Sequence, residues 1–414
     1  MSLTSKERAR ILRAIKKLVL TRHINVGRID YTLWSQRLDE RTPQLLSADM
    51  ATFEEGVRQL LSELKTSHTV FYHSVPRELL PQHTINASMR EVGRNGTPRW
   101  MFLDVFDSGP AQLAGIRPGD VLESVDGTDI RPPSPAHFAI GQTHRLSIRK
   151  AGSDALTEIV VSVPLRKGTK QRPPIVEPKS PMSRMITPGV GVLRIVYFPG
   201  AFGMQFANAL DRAINDLKQQ GCERLIVDLR GNIGGSLGFA RLASYMCPDR
   251  IAIGHSLTPN RLRAPYDPAA LPRVPMPSTR AELVTTLARF AFRDKSVMLL
   301  TQGLGTQPFH HRIVVLVNEW TNSAAEMVAN FAGENNLATI VGERTRGNVL
   351  GAANFRVGGG YWLRLPVFGW FTSKGQSLEG TGVTPDVLVE ISPDALATGH
   401  DNQMERATEI AAGL

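Results

Sequence analysis

Cysteine is almost absent from this chain: its 414 residues include Cys222 and Cys247 and no others of that type. Two thiols cannot build the disulfide framework of a small secreted domain, and neither has the spacing of a structural zinc site. No other constellation of metal-ligating residues is recognisable in the sequence, so we predict neither a metal nor an organic cofactor.

Long apolar runs are missing as well. No run is long enough to cross a bilayer, so we predict no stable membrane insertion. Charges interrupt the N-terminal stretch MSLTSKERARILRAIKKLVL, which therefore does not have the apolar segment of a secretory signal. The location stays open between the cytoplasm and an exported site reached after a signal has been removed.

Aromatic residues make up 7% of the chain, and its net charge is +10. A positive charge favours acidic partners, but the Lys and Arg residues are scattered and form no stripe interleaved with aromatic residues. We therefore predict no nucleic-acid partner. The oligomeric state stays open, with a homodimer as one alternative.

The patterning changes three times along the chain, which predicts an α/β protein with four parts. Residues 1–74 have helical spacing of apolar positions, and residues 75–165 have short strands separated by turns. Residues 166–188 are rich in proline and basic residues and read as a linker. Residues 189–414 alternate between strand and helix, which is typical of an α/β core.

The second part contains the stretch GPAQLAGIRPGDVLESVDG, which resembles a PDZ domain. Pro110 suits a helix start, Gly115 suits the end of that short helix, and Asp126-Gly127 suits a hairpin turn. The resemblance implies that this part binds a polypeptide substrate through an extended segment or a free C-terminus, by strand addition.

One serine stands at a strand-to-helix transition in IVVLVNEWTNSAAEMVANFAGENN, residues 313–336. Ser323 and Glu326 have the spacing of a capping box, so the hydroxyl could satisfy backbone N–H groups. Alternatively, the turn presents Ser323 as a nucleophile, which needs a base and backbone donors for an oxyanion. The helix start would supply such a donor at Ala324. The local sequence leaves both interpretations open.

Three further stretches carry residues with possible chemistry. DLRGNIGG, residues 228–235, places paired glycines after a buried strand, where they either direct N–H groups outward or form an ordinary turn. No Gly-Lys-Ser/Thr follows, which disfavours a phosphate loop. Ser67-His68 lies in LKTSHTVFY and Glu379 in SLEGTGVTPDV. Each of these, taken alone, fits a structural role at least as well as a catalytic one.

The order and spacing of DLRGNIGG, VNEWTNSAAEMVANFAGENNLATIVGERTRG and LEGTGVTPDV resemble the C-terminal processing (tail-specific) serine peptidases. The resemblance covers about Gly189 to Ile391, and the PDZ-like segment with the preceding TSHT belongs to the same layout. It implies a crotonase-like βαββ-spiral catalytic core and hydrolysis of peptide bonds through an acyl-enzyme.

Two catalytic branches of that family are distinguished by the general base. One branch has a lysine where GERTRGNVLG places Asn348, which cannot serve as that base. The other branch is similar to the tricorn protease core, and TSHT and LEGTG match its histidine and glutamate segments. That resemblance implies that Ser323 attacks, that His68 takes the proton, and that Glu379 with Ser67 orients the imidazole.

The resemblance also implies an oxyanion hole made by the N–H of Ala324 and one from the Gly234-Gly235 pair, without deciding which glycine donates. Tricorn-like sequences often have an acid after the nucleophile, and Ala324 cannot recognise a substrate amine in that way. Because the lysine is absent, a catalytically inactive relative that binds peptides or other ligands is the alternative function. A base at Lys374 is the alternative mechanism.

Overall fold

The fold described here is that of a computed structural model of the full chain. It describes residues 3–27, 29–74, 79–94, 96–153, 155–165, 175–200, 202–292, 295–305, 309 and 311–414. None of the described helices is long and apolar enough to cross a membrane.

The helices of the described residues are numbered in chain order. They are α1 (Ser5–Arg22), α2 (Tyr31–Ser47), α3 (Met50–Ser62), α4 (Pro81–Thr84), α5 (Pro110–Leu113), α6 (Met204–Gln219), α7 (Phe239–Ser244), α8 (Pro259–Leu262), α9 (Arg280–Phe292), α10 (Ala324–Glu334), α11 (Pro393–Ala397) and α12 (Asn402–Gly413).

The strands are numbered in the same way. They are β1 (Val70–His73), β2 (Ala87–Arg94), β3 (Thr97–Val105), β4 (Val121–Val125), β5 (Thr128–Asp129), β6 (Thr143–Arg149), β7 (Leu156–Ser162), β8 (Met182–Thr187), β9 (Val190–Arg194), β10 (Arg224–Asp228), β11 (Ala252–Leu257), β12 (Arg273–Pro275), β13 (Val297–Leu300), β14 (Ile313–Val317), β15 (Thr339–Gly342), β16 (Gly351–Gly358), β17 (Tyr361–Thr372) and β18 (Val387–Leu388).

A central sheet has the strand order β18-β15-β14-β10-β9-β8 and is parallel except where β8 meets β9. Strand β14 lies inside this sheet and is buried on both faces, which is why it is apolar throughout. Val315 and Val317 share a core with α6 and α10, while Val314 and Leu316 face α12. The predicted linker at 166–188 differs from this arrangement, since β8 is part of the sheet; residues 166–174 lie outside the described ranges.

A second sheet, of order β1-β17-β11-β13-β12 with β16 also paired to β17, holds the N-terminal helices on the rest of the molecule. Ile11 of α1 and Phe53 of α3 pack in one core with Phe71 and Leu363, which lie opposite each other in the β1–β17 pair. Because β1 starts two residues after His68, this pairing fixes the position of that histidine.

A third sheet, of order β2-β3-β4-β6-β7 with β5 paired to β4, encloses its own core. As predicted, α5 starts at Pro110, and Asp126 and Gly127 both have the positive φ that a tight hairpin turn requires. Gly115 follows the helix with φ +86°, in the left-handed conformation typical of a helix end.

Polar contacts join the third sheet to the central one. Arg90 of β2 contacts Glu343 through Nη1 and Nη2 at 2.8 and 2.6 Å, and Glu319 through Nε at 2.8 Å. Asn318, directly after β14, donates to Asp104 of β3 at 3.1 Å. The turn that leads to Ser323 is therefore in contact with the third sheet.

Taken together, the described elements form a mixed α/β fold, as the alternation of strands and helices predicts.

Candidate active site

Ser323 stands where strand β14 gives way to helix α10. Its φ of +55° and ψ of −117° lie outside the regions that side chains normally allow, a conformation that costs on the order of 1–3 kcal/mol. The preceding turn is held in place by hydrogen bonds from Thr321 Oγ1 to Leu229 O (2.9 Å) and from Asn322 N to Asn232 O (2.9 Å). A strained serine on a strand-turn-helix corner is the arrangement in which many hydrolases expose a nucleophile.

The capping interpretation of this serine also has structural support. The Ser323 N–H donates to the Glu326 carboxylate at 2.9 Å, which is the backbone half of a capping box, while the Ser323 hydroxyl makes no capping hydrogen bond. Half-buried Ser323 therefore begins the helix and at the same time lines a cavity. The two interpretations left open by the sequence are compatible.

Glu326 does more than cap the helix. Its fully buried carboxylate also accepts hydrogen bonds from Thr345 Oγ1 (2.6 Å), Gly347 N (2.6 Å) and Asn348 N (2.9 Å). Burial raises the pKa of Glu326, while these hydrogen bonds act in the opposite direction. One side chain thus joins the start of α10 to the loop at residues 345–348.

The glycine turn after β10 lies against Ser323. A Cβ atom added to Gly234 would come within 2.8 Å of Ser323 Cβ, so the absence of a side chain there makes room for the serine. The Gly234 N–H is already engaged, because it donates to Asn232 Oδ1 at 2.7 Å. Within the described residues, the N–H groups of Gly235 and Ala324 have no acceptor. Of the two glycines, Gly235 is therefore the one with a donor available.

Ser67, His68 and Glu379 are brought together by hydrogen bonds. Ser67 donates to Glu379 twice, from N to Oε1 at 2.7 Å and from Oγ to Oε2 at 3.0 Å. His68 Nδ1 lies 2.9 Å from Ser67 Oγ. Since the Ser67 hydroxyl proton points to the carboxylate, Oγ accepts from Nδ1–H, which leaves Nε2 as the unprotonated ring nitrogen.

The surroundings of His68 keep its imidazole neutral. Burial, with a smaller contribution from the charge of Arg364, lowers the pKa of His68 from 6.5 to about 4. A neutral imidazole can act as a base. Among the described residues no hydrogen bond joins His68 to Ser323, so proton transfer between them requires Nε2 and Oγ to come closer.

Two consecutive backbone N–H groups connect the histidine group to the serine turn. Asn348 N donates to the Glu326 oxygen that also accepts from Ser323 N–H, and Val349 N donates to Glu379 Oε2 at 3.1 Å. Glu379 Oε2 is the oxygen that accepts from the Ser67 hydroxyl. Val349 has no signature in the sequence, because any residue except proline can supply a backbone donor.

The structure gives the contacts of Asn348 and Lys374, the two positions that bear on a lysine base. Asn348, which the resemblance aligns with a lysine, donates through Nδ2 to Asn322 Oδ1 at 3.0 Å, and Asn322 directly precedes Ser323. Lys374 lies 3.7 Å from Glu334, and its side chain is 65% exposed. Neither the hydrogen bonds nor the ion pairs of the described residues connect Lys374 to Ser323.

A cavity of 390 Å³ opens beside Ser323, and its walls are mainly apolar. Its lining includes Leu237, Phe239, Val274, Leu299, Ala324, Met327, Val349, Phe368 and Trp370. In the described ranges there is no group of three His, Cys, Asp or Glu residues suited to hold a metal ion.

Residues 189–389 match the family model of Peptidase family S41, so the chain carries a domain of that family. Curated relatives include the putative tricorn protease homolog 2 of Streptomyces coelicolor, which is 28% identical over 405 residues. The match covers 92% of this chain and 30% of that protein. The carboxyl-terminal-processing protease of Synechocystis sp. is 26% identical over 73% of this chain and 63% of its own length.

The chain thus spans less than two thirds of either relative. The solved structure of the photosystem II D1 C-terminal processing protease is similar in fold, with a TM-score of 0.54. The two sequences are 20% identical, and the match covers 95% of this chain and 96% of that one. The resemblance inferred from the motifs is confirmed at the level of the family.

Proposed function

We propose that this chain, with its Peptidase family S41 domain, is a serine endopeptidase that hydrolyses polypeptides through an acyl-enzyme. Ser323 is the nucleophile, His68 is the general base, and Glu379 with Ser67 orients His68. The family match and the names of the relatives support a serine peptidase. The residue roles rest on the geometry of the site.

The observation that carries this proposal is the connected set of hydrogen bonds from His68 to Ser323. It runs from His68 through Ser67 to Glu379, and then through the adjacent N–H groups of Val349 and Asn348 to Glu326, which binds Ser323 N–H. This set supports the proposal because it links the segment that carries the base to the backbone N–H of the nucleophile. The logic of a catalytic triad then requires His68 Nε2 and Ser323 Oγ to approach each other.

The proton passes directly between Ser323 Oγ and His68 Nε2, and the hydrogen bonds around the imidazole set the direction of this transfer. Nδ1–H of His68 donates to Ser67 Oγ, so Nε2 accepts the proton when Ser323 Oγ attacks the carbonyl carbon. The imidazolium that forms is stabilised through Ser67 by the Glu379 carboxylate, and Nε2 then gives the proton to the leaving amine. Water hydrolyses the resulting ester by the same proton transfers in the second half of the reaction.

The oxyanion is stabilised by Gly235 and Ala324 in this mechanism. Their N–H groups have no other acceptor in the described residues, whereas the Gly234 N–H is used by Asn232. Donors that are fixed before the reaction need no reorganisation when charge develops, which makes them effective in lowering the barrier.

The finer architecture is also part of the proposal. Residues 75–165, a PDZ-like domain, bind an extended segment or free C-terminus of the substrate, and residues 189–414 form a crotonase-like spiral core. The contact from Asn318 to Asp104 supports a connection between substrate binding and the serine turn. Deletion of residues 76–164, assayed with a short unstructured peptide, tests it; unchanged cleavage of every substrate would contradict a delivery or gating role.

A fluorophosphonate probe tests the proposed mechanism directly. The probe should label Ser323, as located by mass spectrometry, and labelling should be lost in Ser323→Ala and reduced at least about a hundredfold in His68→Ala. An unlabelled but folded protein would favour the alternative, a catalytically inactive module that binds peptides or other ligands.

A further inference from the structure

The cavity beside Ser323 adjoins a second one. The second cavity has a volume of 570 Å³ and shares Lys295 and Phe368 with the first. Strands β16 and β17 form part of the wall of both. The two cavities are therefore neighbours, and a groove that includes both would let a substrate segment bound at Ser323 reach the second cavity.

The first cavity suits a large apolar side chain. Phe239, Leu299 and Trp370 are buried residues of its wall, and Met327 lies one helical turn after Ser323. None of the described residues that line it is acidic. Burial of apolar area there is favourable, and Lys295, which also lines the second cavity, is the one charged residue of its described lining.

The second cavity differs in its charge. Arg22 and Lys295 line it, both are exposed, and neither has a salt-bridge partner among the described residues. The other polar residues of its wall are neutral, and its described lining includes no carboxylate. Unpaired cations on the wall of a groove raise the local concentration of anionic groups.

The other end of the groove does not have this charge asymmetry. A third cavity of 330 Å³ shares Val274 and Thr286 with the first, and Arg273 and Glu282 provide one charge of each sign there. The charges are thus positive at the Arg22 end, while one positive and one negative charge offset each other at the opposite end.

We propose that Arg22 and Lys295 form a carboxylate-binding subsite, so that the preferred substrates carry an acidic group at a fixed distance from an apolar residue. The acidic group is either an Asp or Glu side chain or the C-terminal carboxylate of the substrate. This inference rests on the proposed function for its catalytic meaning. Since both cations are exposed, the subsite contributes to selection between substrates more than to affinity.

Binding to the full-length Ser323→Ala variant tests the subsite without cleavage. The probes are fluorescein-labelled decapeptides of Gly and Ser with one central Phe and one Asp scanned along the other positions. For each Asp peptide, a control peptide has Asn at the same position. All peptides are made in two forms, one with a free C-terminal carboxylate and one with a C-terminal amide. At the best position, Asp should bind about two- to fivefold more tightly than Asn, as measured by anisotropy.

Charge reversal identifies the residues responsible. Lys295→Glu and Arg22→Glu, each added to Ser323→Ala, should abolish the preference for Asp and produce a preference for Lys at the same position. Arg212→Glu is the matched control: this exposed arginine of α6 lines none of the three cavities. It should leave the preference unchanged.

The two sources of the carboxylate give different results. An Asp preference that persists in the amide peptides identifies a side-chain subsite, while a difference between acid and amide that responds to Lys295→Glu identifies the C-terminus. Equal binding of all peptides, or a preference that Lys295→Glu and Arg22→Glu leave intact, would overturn the subsite.

A failure of the proposed function can be distinguished from a failure of the carboxylate subsite. Absence of fluorophosphonate labelling at Ser323, together with a retained charge preference, would contradict peptide hydrolysis while supporting the carboxylate subsite.

Discussion

Ser67 and Glu379 are 312 residues apart in the chain, yet the glutamate accepts both the backbone N–H (2.7 Å) and the hydroxyl (3.0 Å) of the serine. The pair joins the N-terminal helical region to the turn at residues 379–381. Because His68 follows Ser67 directly, this contact sets the orientation of the imidazole.

Removal of the Ser67 hydroxyl should interrupt the orientation of His68. We expect Ser67→Ala to lower kcat about tenfold to a hundredfold while KM changes little, since substrate binding does not use this hydroxyl. Steady-state kinetics with a quenched fluorescent peptide measure both constants. Ser62→Ala, at an exposed serine of α3, is the control; an equal loss in both variants would contradict a specific role for Ser67.

The fall of kcat/KM at low pH should reflect the protonation of His68. Its imidazole must be neutral to take the proton, and burial lowers its pKa to about 4. The value of kcat/KM should therefore stay high down to about pH 5 and fall through about pH 4, rather than near the ordinary 6.5. A profile that rises only in the alkaline range of lysine would indicate a lysine base instead.

Stability should also decrease in acid, and for a related reason. Burial lowers the pKa of His23, His68 and His83 to about 4, so the unfolded chain binds more protons than the folded one between about pH 6.5 and 4. The free energy of unfolding should therefore fall as the pH drops through this window. Urea titrations at several pH values measure it, and constant stability from pH 6.5 to 4 would contradict these burial assignments.

Asn348 distinguishes the histidine mechanism from the lysine mechanism. Its side chain contacts Asn322 and carries no proton in the proposed reaction, so Asn348→Ala should reduce kcat/KM by less than about tenfold. Fluorophosphonate labelling of Ser323 should persist in this variant. Complete loss of labelling with an unchanged fold would show that this position takes part in the chemistry.

Glu326→Gln should affect both stability and activity. Four donors converge on this buried carboxylate, and an amide would turn an N–H group toward at least one of them. We expect a loss of about 2–3 kcal/mol in the free energy of unfolding, measured with urea, and a lower kcat because Ser323 is less firmly held. The control, Glu409→Gln at an exposed site of α12, should change stability by less than about 0.5 kcal/mol.

Much of the local structure was predictable because short-range rules determine it. The apolar run from Ile313 to Val317 predicts a buried strand, and the Ser323-x-x-Glu326 spacing predicts a capping box; the strand and the backbone half of the box occur. Positive φ at Asp126-Gly127 likewise follows from residue type.

The family was also predictable from the sequence, because its motifs occur in a characteristic order. The choice between Gly234 and Gly235 was not, because it depends on whether the Asn232 side chain occupies one N–H. The contact of Val349 with Glu379 could not be predicted either, since any residue except proline provides a backbone donor.

The sequence by itself determined which chemical groups are available: a serine at a helix start, a neighbouring Ser-His pair, a distant glutamate, and an asparagine at position 348. The tertiary structure decided which of these groups meet. Pairing of β1 with β17 places Ser67 against Glu379, and two consecutive N–H groups place that contact beside the serine turn. Contacts over such separations depend on how whole sheets pack, so no local pattern of residues encodes them.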